Sequence, residues 1–433
     1  MVVNRGSSPS AQETFAQMAQ EAGLRGRVFL TLGILLLVRL GIYIPIPGID
    51  REAFAANLAN SNVGGILNVF TGGGIAALGV FMLGILPYIN ASIIIQLLTS
   101  AVPALENLQK NEGEAGRRQI TQYTRYLTLA WAIIQGIGVS IWVFGFAATD
   151  ASQLSFTFET TLALTAGSMF VMWASELITE RGIGNGASLM IFLNIVASLP
   201  TAFSDTISLV RADSSTIPGV VLLAITYVAM IVCIVFVQEG TRRIPIISAK
   251  RQVGRRLYRE QKNYLPLRLN QGGVMPIIFA SAVLILPSQL QNVTQNLRVL
   301  SIINFFSSGS WGYVFFLLVL IVFFSYFYAS LIVNPVDMAQ NLKKMGSSIP
   351  GIRPGKATSD YIEKVLNRLT LLGAIFLGLV AVVPSIVERL VGVTTFQGLG
   401  ATSLLILVGV AIDTSKQIQT YVISQRYEGM VKK

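Results

Sequence analysis

Ten long apolar stretches, separated by polar connections, occupy most of the chain between about residues 28 and 420. A helix needs about 20 apolar residues to cross the roughly 30 Å hydrocarbon core of a membrane. With 53% hydrophobic and only 12% charged residues and a mean hydropathy of +0.64, the chain is not an ordinary soluble domain. We therefore predict an all-α polytopic membrane protein. The predicted spans are 28–46, 76–99, 123–146, 160–178, 187–204, 218–237, 273–290, 311–333, 366–386 and 399–420.

Lysine and arginine are distributed very unequally between the two sides of the predicted membrane. Ten spans put both termini on one side, and 27 of the 32 basic residues lie on that side. The opposite side carries Arg51, Arg211, Arg298 and Arg389, and Arg39 lies within the first span. Because cytoplasmic connections are enriched in basic residues, both termini are predicted to be cytoplasmic. The first span has no small-residue cleavage site after it and is interpreted as a retained helix.

Two cytoplasmic connections, 239–272 and 334–365, are strongly basic. Clusters of this kind fix the orientation of a membrane protein and contact anionic lipids. They also attract anionic partners such as RNA or an acidic protein surface, so a docking surface is the second interpretation. The basic residues of interest are Arg242, Arg243, Arg255 and Arg256 in the first connection and Lys343, Lys344 and Arg353 in the second.

The supply of reactive side chains limits the possible functions. The chain has no histidine and a single cysteine, Cys233, so an internal disulfide and all histidine chemistry are excluded. We predict no enzyme activity, no metal site and no cofactor. The ionisable residues at or near membrane depth are Arg39, Glu176, Asp413 and Lys416. Structural pairing explains them best, and a role in a secondary transporter of ions or small solutes is the alternative.

Two predicted spans contain a proline near their middles, Pro87 and Pro276. Proline removes a backbone donor and bends a helix, so these spans are predicted to be kinked. The polar residues that follow them are Ser92, Gln96 and Ser281. Such side chains more often join helices than line a path. The functional interpretation is a pair of helices that can bend or part.

An external segment at about 61–75 contains a short apolar run between glycines. This run of about five residues is too short to span a membrane, and it is more apolar than an exposed loop. A re-entrant piece of chain that is buried in protein or lines a cavity fits this pattern.

Five motifs in order along the chain resemble the SecY family, the channel subunits of the bacterial protein translocase. They begin with Arg39-Leu-Gly-Ile-Tyr-Ile-Pro-Ile-Pro-Gly-Ile-Asp50 and Leu83-Gly-Ile-Leu-Pro-Tyr-Ile-Asn-Ala-Ser-Ile-Ile-Ile-Gln-Leu-Leu98. Three more follow: Gly116-Arg-Arg-Gln-Ile-Thr-Gln-Tyr-Thr-Arg-Tyr126, Ile178-Thr-Glu-Arg-Gly-Ile-Gly-Asn-Gly186, and the segment from Asn341-Leu-Lys-Lys to Gly355. The resemblance covers essentially the whole chain.

The resemblance implies two pseudo-symmetric five-helix halves that form a clamshell around a central pore. The implied segments are a cytoplasmic N-terminal segment 1–27, a first half 28–204, an external hinge 205–217, a second half 218–420 and a cytoplasmic tail 421–433. The implied localisation is the bacterial cytoplasmic (inner) membrane. The channel would pass unfolded secretory chains and release membrane segments sideways. The implied partners are SecE-like and SecG-like subunits, the SecA ATPase, the ribosome, signal peptides and anionic lipids.

The resemblance also assigns roles to residues. The pore would be closed by a ring of apolar side chains, Ile85, Ile89, Ile191, Ile195, Ile278 and Ile406. A plug would contain Ile66, Leu67, Val69 and Phe70. A lateral gate would contain Pro87, Ser92, Gln96, Pro276 and Ser281, and the basic residues named above would dock SecA or the ribosome.

Overall fold

The structure of the protein is a computed structural model that describes residues 22–51, 54, 72–147, 152–213, 216–248, 251–253, 256–258, 262–290, 305, 310–391 and 401–431. Within these ranges the chain forms twelve helices of at least eight residues. They are α1 Ala22–Gly41, α2 Leu86–Ala101, α3 Pro103–Lys110, α4 Gly113–Val143, α5 Gln153–Arg181, α6 Gly186–Ala212, α7 Ile217–Glu239, α8 Met275–Leu290, α9 Trp311–Ile332, α10 Pro335–Lys344, α11 Lys356–Val391 and α12 Ala401–Val431.

A helix overlaps each of the ten predicted spans. In the described part of the chain, six helical segments are long and apolar enough to cross a membrane by themselves. The predicted spans 160–178 and 187–204 lie in two of these six, α5 and α6. There is a seventh span if the bent pair of helices Leu86–Ala101 and Pro103–Gln109, which meet at an angle of 103°, is counted as one. The chain is therefore a multi-span helical membrane protein, and the count of ten remains a prediction.

The second span is shorter than the apolar pattern predicted, and the kinks predicted at its proline and at Pro276 are wrong. The chain makes turns up to Ile85, and α2 begins only at Leu86, with Pro87 in its first turn. Pro276 likewise lies in the first turn of α8. Proline is well tolerated there because the first-turn N–H groups have no partner within the helix. These prolines therefore start helices and do not bend them.

The bend after α2 also has a local cause. Val102 is extended, with φ −105° and ψ 113°, because the following Pro103 disfavours the helical conformation of the preceding residue. Inside helices, proline occurs at Pro200 in α6, Pro287 in α8 and Pro384 in α11. The apolar pattern alone did not distinguish prolines that start a helix from prolines inside one.

The helices pack around one large apolar cluster that draws side chains from both halves of the chain. Contacts between the halves join α2 to α8 and α6 to α12. Within the second half of the chain, α12 and the residue before α8 lie very close together. A Cβ on Gly409 of α12 would lie only 2.2 Å from Cγ2 of Val274, just before α8. Only glycine allows the two segments to come so near.

The predicted all-α class holds for the membrane part, but the two basic connections contain a small antiparallel sheet. Strand β1, Thr241–Ser248, pairs with β4, Lys262–Arg268, and its far end pairs with β5, Ser347–Ser348. Strands β2, Arg251–Val253, and β3, Arg256–Tyr258, form a separate hairpin. The high content of arginine hid these strands, because hydropathy registers apolar spans and passes over short polar hairpins.

Several segment boundaries differ from those expected. The proposed hinge 205–217 is largely helical, since α6 continues to Ala212 and α7 begins at Ile217. The proposed tail 421–433 is helical to Val431, because α12 continues beyond its apolar part. The plug residues Ile66, Leu67, Val69 and Phe70 and the docking residue Arg255 lie outside the described residues.

Candidate functional site

The six isoleucines of the predicted pore ring are all buried and all belong to the single central cluster. None of them is more than 4% exposed. Ile85 and Ile89 come from the start of α2, Ile191 and Ile195 from α6, Ile278 from α8 and Ile406 from α12. In the sequence, the spacing of four residues within each of the pairs 85/89 and 191/195 is compatible with a shared helix face, and the rest of the ring was implied by the family resemblance alone. The structure brings four helices, two from each half, to the same apolar centre.

The turn before α2 determines where Ile85 lies. Gly84 has a positive φ of +55°, a conformation that glycine adopts at no steric cost. The Ser168 hydroxyl of α5 donates to the Gly84 carbonyl over 3.3 Å. Gly167 allows this approach, because a Cβ there would lie 2.1 Å from the carbonyl oxygen of Val80. The start of α2 is therefore held against α5.

The seam between α2 and α8 carries the predicted gate residues. The Gln96 side chain donates to the Ser92 hydroxyl over 3.1 Å, one turn earlier on α2. The hydroxyl of Tyr328 on α9 donates to Gln96 Oε1 over 2.6 Å. Ser281 donates to the Ile278 carbonyl of its own helix over 2.9 Å. Sequence reasoning missed Tyr328, because one tyrosine in an aromatic-rich span has no local signal.

Two of the four ionisable residues near membrane depth, Glu176 and Lys416, form ion pairs within one half of the chain. Arg125 of α4 contacts both carboxylate oxygens of Glu176 on α5, with Nη2 to Oε2 at 2.8 Å. Lys416 of α12 contacts Glu239 of α7 at 2.9 Å. Both contacts agree with the structural pairing that the sequence favoured for such residues.

Arg39 and Asp413 have different surroundings. The Arg39 guanidinium donates to the backbone carbonyl of Gly72, so its partner is a peptide group. Asp413, near the middle of α12, lines a cavity of about 310 Å³ together with Arg268 and Lys416. Neither residue belongs to the central apolar cluster.

A buried carboxylate at Glu388 was missed by the sequence analysis. It is 5% exposed and accepts a hydrogen bond from the hydroxyl of Tyr227 over 3.0 Å. Its position two residues beyond the predicted span 366–386 placed it outside the apolar stretch. The contact joins α11 to α7 within the second half of the chain.

The two basic connections form one folded unit. β1 from the first connection is paired to β5 from the second, and Ile244, Leu267, Leu342 and Ile349 share an apolar cluster with α11. The predicted docking residues Arg242, Arg243, Lys343, Lys344 and Arg353 are all exposed on this unit, and Arg256 lies in β3. The Arg353 carbonyl accepts a hydrogen bond from Thr358 over 2.9 Å, which anchors its loop to α11.

A family model described as SecY matches residues 79–415, which include most of the helices described above. The chain belongs to the SecY family. The protein translocase subunit SecY of Synechococcus elongatus is 67% identical to it over 440 residues, with all of both chains covered. The match extends across the six buried isoleucines, the seam and both basic connections.

Solved structures show the same fold. A SecY channel whose plug domain is described as stabilising the closed state has a TM-score of 0.62 at 17% identity, with 90% of this chain and 91% of that chain covered. Sec61 in the canine ribosome-channel complex has a TM-score of 0.55 at 15% identity, with 90% and 91% covered. The arrangement of helices is therefore that of SecY and Sec61 channels.

Proposed function

We propose that the chain is the central subunit of a protein-conducting channel. It passes unfolded secretory polypeptides across the cytoplasmic membrane and releases membrane segments sideways into lipid. The observation that carries this proposal is the burial of six isoleucines from four helices in one cluster between the two halves. A narrow apolar constriction excludes water and ions when empty, and flexible aliphatic side chains can yield around a passing chain.

The location of the charged groups favours a channel over a secondary transporter. An ion-coupled transporter places its ionisable residues at a binding site between its repeats. Here the pairs Arg125–Glu176 and Lys416–Glu239 each lie within one half, and so does the Tyr227–Glu388 contact. These ionisable residues form contacts within their own half of the chain. They therefore do not supply an ion-binding group at the apolar centre.

The seam between α2 and α8 is proposed as the lateral gate. The two helices come from different halves and contact each other beside the ring. Pro87 and Pro276 start these helices at similar positions relative to the ring. A signal peptide would enter between them and reach lipid. The segment 61–75 is proposed as the plug, and Arg39 would hold its far end through the Gly72 carbonyl.

The joined basic unit is proposed as the docking surface for the SecA ATPase and the ribosome. Its exposed arginines and lysines are held on a sheet and on the end of α10, so a partner meets an ordered surface. A relative, canine Sec61, occurs in a ribosome-channel complex. The chain itself supplies the path, and the energy would come from these partners.

The remaining proposals concern assembly and orientation. The large excess of basic residues on the side of the termini supports a multi-pass arrangement in the bacterial inner membrane with both termini cytoplasmic. SecE-like and SecG-like membrane subunits would cover the lipid-facing helices, and anionic lipids would contact the basic connections. Co-purification with the chain tests whether these membrane subunits are present.

Photo-crosslinking of a stalled secretory chain tests the channel directly. Probes replace Ile85, Ile191 and Ile278, one at a time, and we expect adducts with the stalled chain at all three. Two controls share the residue type: Ile225 on α7 is 61% exposed, and Ile362 is fully buried in the joined basic unit. Adducts at the controls and none at the ring would contradict the proposal.

A further inference from the structure

A cavity of about 430 Å³ lies between α9 and α11 on the surface of the second half of the chain. It is lined by exposed side chains, among them Tyr326 of α9 and Asp360, Glu363, Lys364, Arg368 and Leu371 of α11. None of these residues belongs to the central apolar cluster. The cavity is therefore separate from the proposed pore.

The cavity lies where α11 changes from a polar to an apolar surface. Up to Arg368 the exposed residues that line the cavity are polar. Beyond it, Leu371 is 45% exposed, Leu372 58% and Ile375 50%. A helix that crosses a membrane makes this change where water and lipid headgroups give way to hydrocarbon. The lining residues thus lie at the level of the headgroups.

Two cations in the cavity have no partner within the protein. Lys364 and Arg368 are four residues apart on α11, so they lie about 6 Å from each other along the helix axis. Among the residues that the structure describes, neither side chain forms an ion pair or a hydrogen bond. A phosphate at the headgroup level can therefore accept hydrogen bonds from both, as lysine and arginine bind phosphate groups in many proteins.

Two carboxylates lie on the side of these cations that faces away from the apolar surface. Asp360 precedes Lys364 by one turn of α11, and Glu363 directly precedes it. A lipid that carries only a phosphate would be repelled by them. A headgroup that continues beyond its phosphate with hydroxyl groups would donate hydrogen bonds to them, because ionised carboxylates only accept.

Tyr326 supplies a further donor to the cavity. Its hydroxyl donates to the Asn367 carbonyl over 3.5 Å, which is long for a hydrogen bond between oxygens. The hydroxyl can therefore turn toward a phosphate at little cost. Tyrosine is also one of the residues that concentrate at the boundary between membrane and water.

We propose that this cavity binds an anionic glycerophospholipid with a hydroxylated headgroup, namely phosphatidylglycerol. The phosphate accepts from Lys364 and Arg368, the headgroup hydroxyls donate to Asp360 and Glu363, and an acyl chain lies along Leu371. The inference goes beyond the general contact of anionic lipids with the basic connections, because it names one site and one headgroup. It depends on the chain crossing a membrane and not on the proposed export of polypeptides.

The first test uses phosphatidylglycerol with a photoactivatable acyl chain, in vesicles that contain the complete translocase. Adducts are located by mass spectrometry of peptides, and we expect them on the peptide that contains Leu371. K364Q or R368Q alone should lower these adducts about fivefold, and the two changes together about twentyfold. The control changes Arg117 and Arg118, two exposed arginines at the start of α4, to glutamine and should leave the adducts on α11 unchanged.

A second variant separates a headgroup site from a general attraction between charges. Changing Asp360 and Glu363 together to Asn and Gln removes two negative charges. A general attraction predicts more adducts with an anionic lipid. The site predicts about threefold fewer, because the acceptors for the headgroup hydroxyls are weakened. A photoactivatable phosphatidic acid, which has no such hydroxyls, should not lose adducts in this variant.

A competition experiment separates a lipid from a free phosphate ion. An excess of inorganic phosphate should leave the adducts in place, because the acyl chain contributes apolar contact that the ion lacks. Loss of the adducts in the presence of inorganic phosphate would overturn the lipid and assign the cations to a phosphate ion.

The remaining outcomes are equally decisive. All the substituted side chains are exposed, so the variants should fold and insert, and thermal unfolding checks this. Wild-type protein without adducts on α11 overturns the site, as does a variant lacking both cations that is labelled as strongly as the wild type. More phosphatidylglycerol adducts in the variant without the carboxylates also overturn it. A translocase that keeps the adducts but exports nothing contradicts only the proposed function.

Discussion

The backbone N–H of Gly184 donates a hydrogen bond to Gln417 Oε1 over 2.9 Å, and this contact ties the first half of the chain to α12. Gly184 belongs to the turn between α5 and α6 and has a φ of +89°. Nearby, the Arg27 guanidinium lies 5.0 Å from the ring centre of Tyr421. The helical continuation of α12 beyond its apolar part is thus packed against the first half.

Replacing Gln417 by leucine should weaken this tie. The variant Q417L leaves the Gly184 N–H without its side-chain acceptor, and we expect the free energy of unfolding to fall by about 1 kcal/mol. Thermal unfolding of the purified protein in detergent measures the change. Q419L, two residues further along α12, is the control and should unfold as the wild type does. Equal midpoint temperatures of unfolding for Q417L and Q419L would show that the hydrogen bond between Gly184 and Gln417 does not contribute to stability.

Reversing the charge of Arg353 should impair motor-driven export. The residue is exposed on the joined basic unit, so R353E changes the surface and leaves membrane insertion intact. We expect a loss of tenfold or more in SecA-dependent export, since a like charge opposes an acidic partner. The matched control is R211E, which reverses an exposed arginine on the opposite side. Normal export by inserted R353E protein would contradict the docking proposal.

Polar replacement of the ring should make the resting channel leak ions. Changing Ile191, Ile278 and Ile406 together to serine removes the apolar surface that keeps the constriction dry. We expect higher resting conductance in planar bilayers than for the wild type. The control changes Ile225, which is exposed on α7, to serine. Conductance at the wild-type level in the triple variant would argue that these residues are ordinary packing residues.

Removing Arg125 should destabilise the first half through Glu176. The Glu176 side chain is only 11% exposed, so R125Q leaves a mostly buried carboxylate without its cation. Because Arg125 itself is 43% exposed, we expect a loss of about 1–2 kcal/mol in the free energy of unfolding. Adding E176Q should restore most of this loss in thermal unfolding measurements.

The pair Arg118–Glu114 is the comparison for this prediction. Its atoms are 3.8 Å apart and both side chains are more than four-fifths exposed. An exposed pair contributes little, because water screens it, so R118Q should unfold as the wild type does. A loss in R118Q as large as that in R125Q would show that burial of Glu176 is not the cause.

The sequence predicted the helices well where hydropathy is continuous and poorly where local backbone chemistry intervenes. The span at 160–178 was confirmed as part of α5, because a long apolar stretch has few alternatives in a membrane. Pro87 was placed in the middle of a span, although α2 begins one residue before it. The start of α2 depends on Gly84 and on its contact with Ser168 of α5, 84 residues away along the chain.

The candidate site likewise combines residues that the sequence could name with contacts that only the structure showed. The isoleucines at 85 and 89 could be named from a motif, but their meeting with Ile406 required the packed structure. The pairing of Ile247 with Ser348, which joins the two basic connections, had no signal in either connection alone. Tyr328 and Gln96 are separated by 232 residues, so no local pattern predicts their hydrogen bond.

By itself, the sequence determined that the chain is a helical membrane protein of the channel type and that its basic residues are concentrated in a few connections. Hydropathy and charge act locally along the chain, and the membrane turns them into spans. Only the tertiary structure decided which helices enclose the apolar centre, how the basic connections combine, and which polar groups meet across the seam. Those outcomes depend on contacts between residues far apart in the chain, where close packing and hydrogen-bond geometry select the partners.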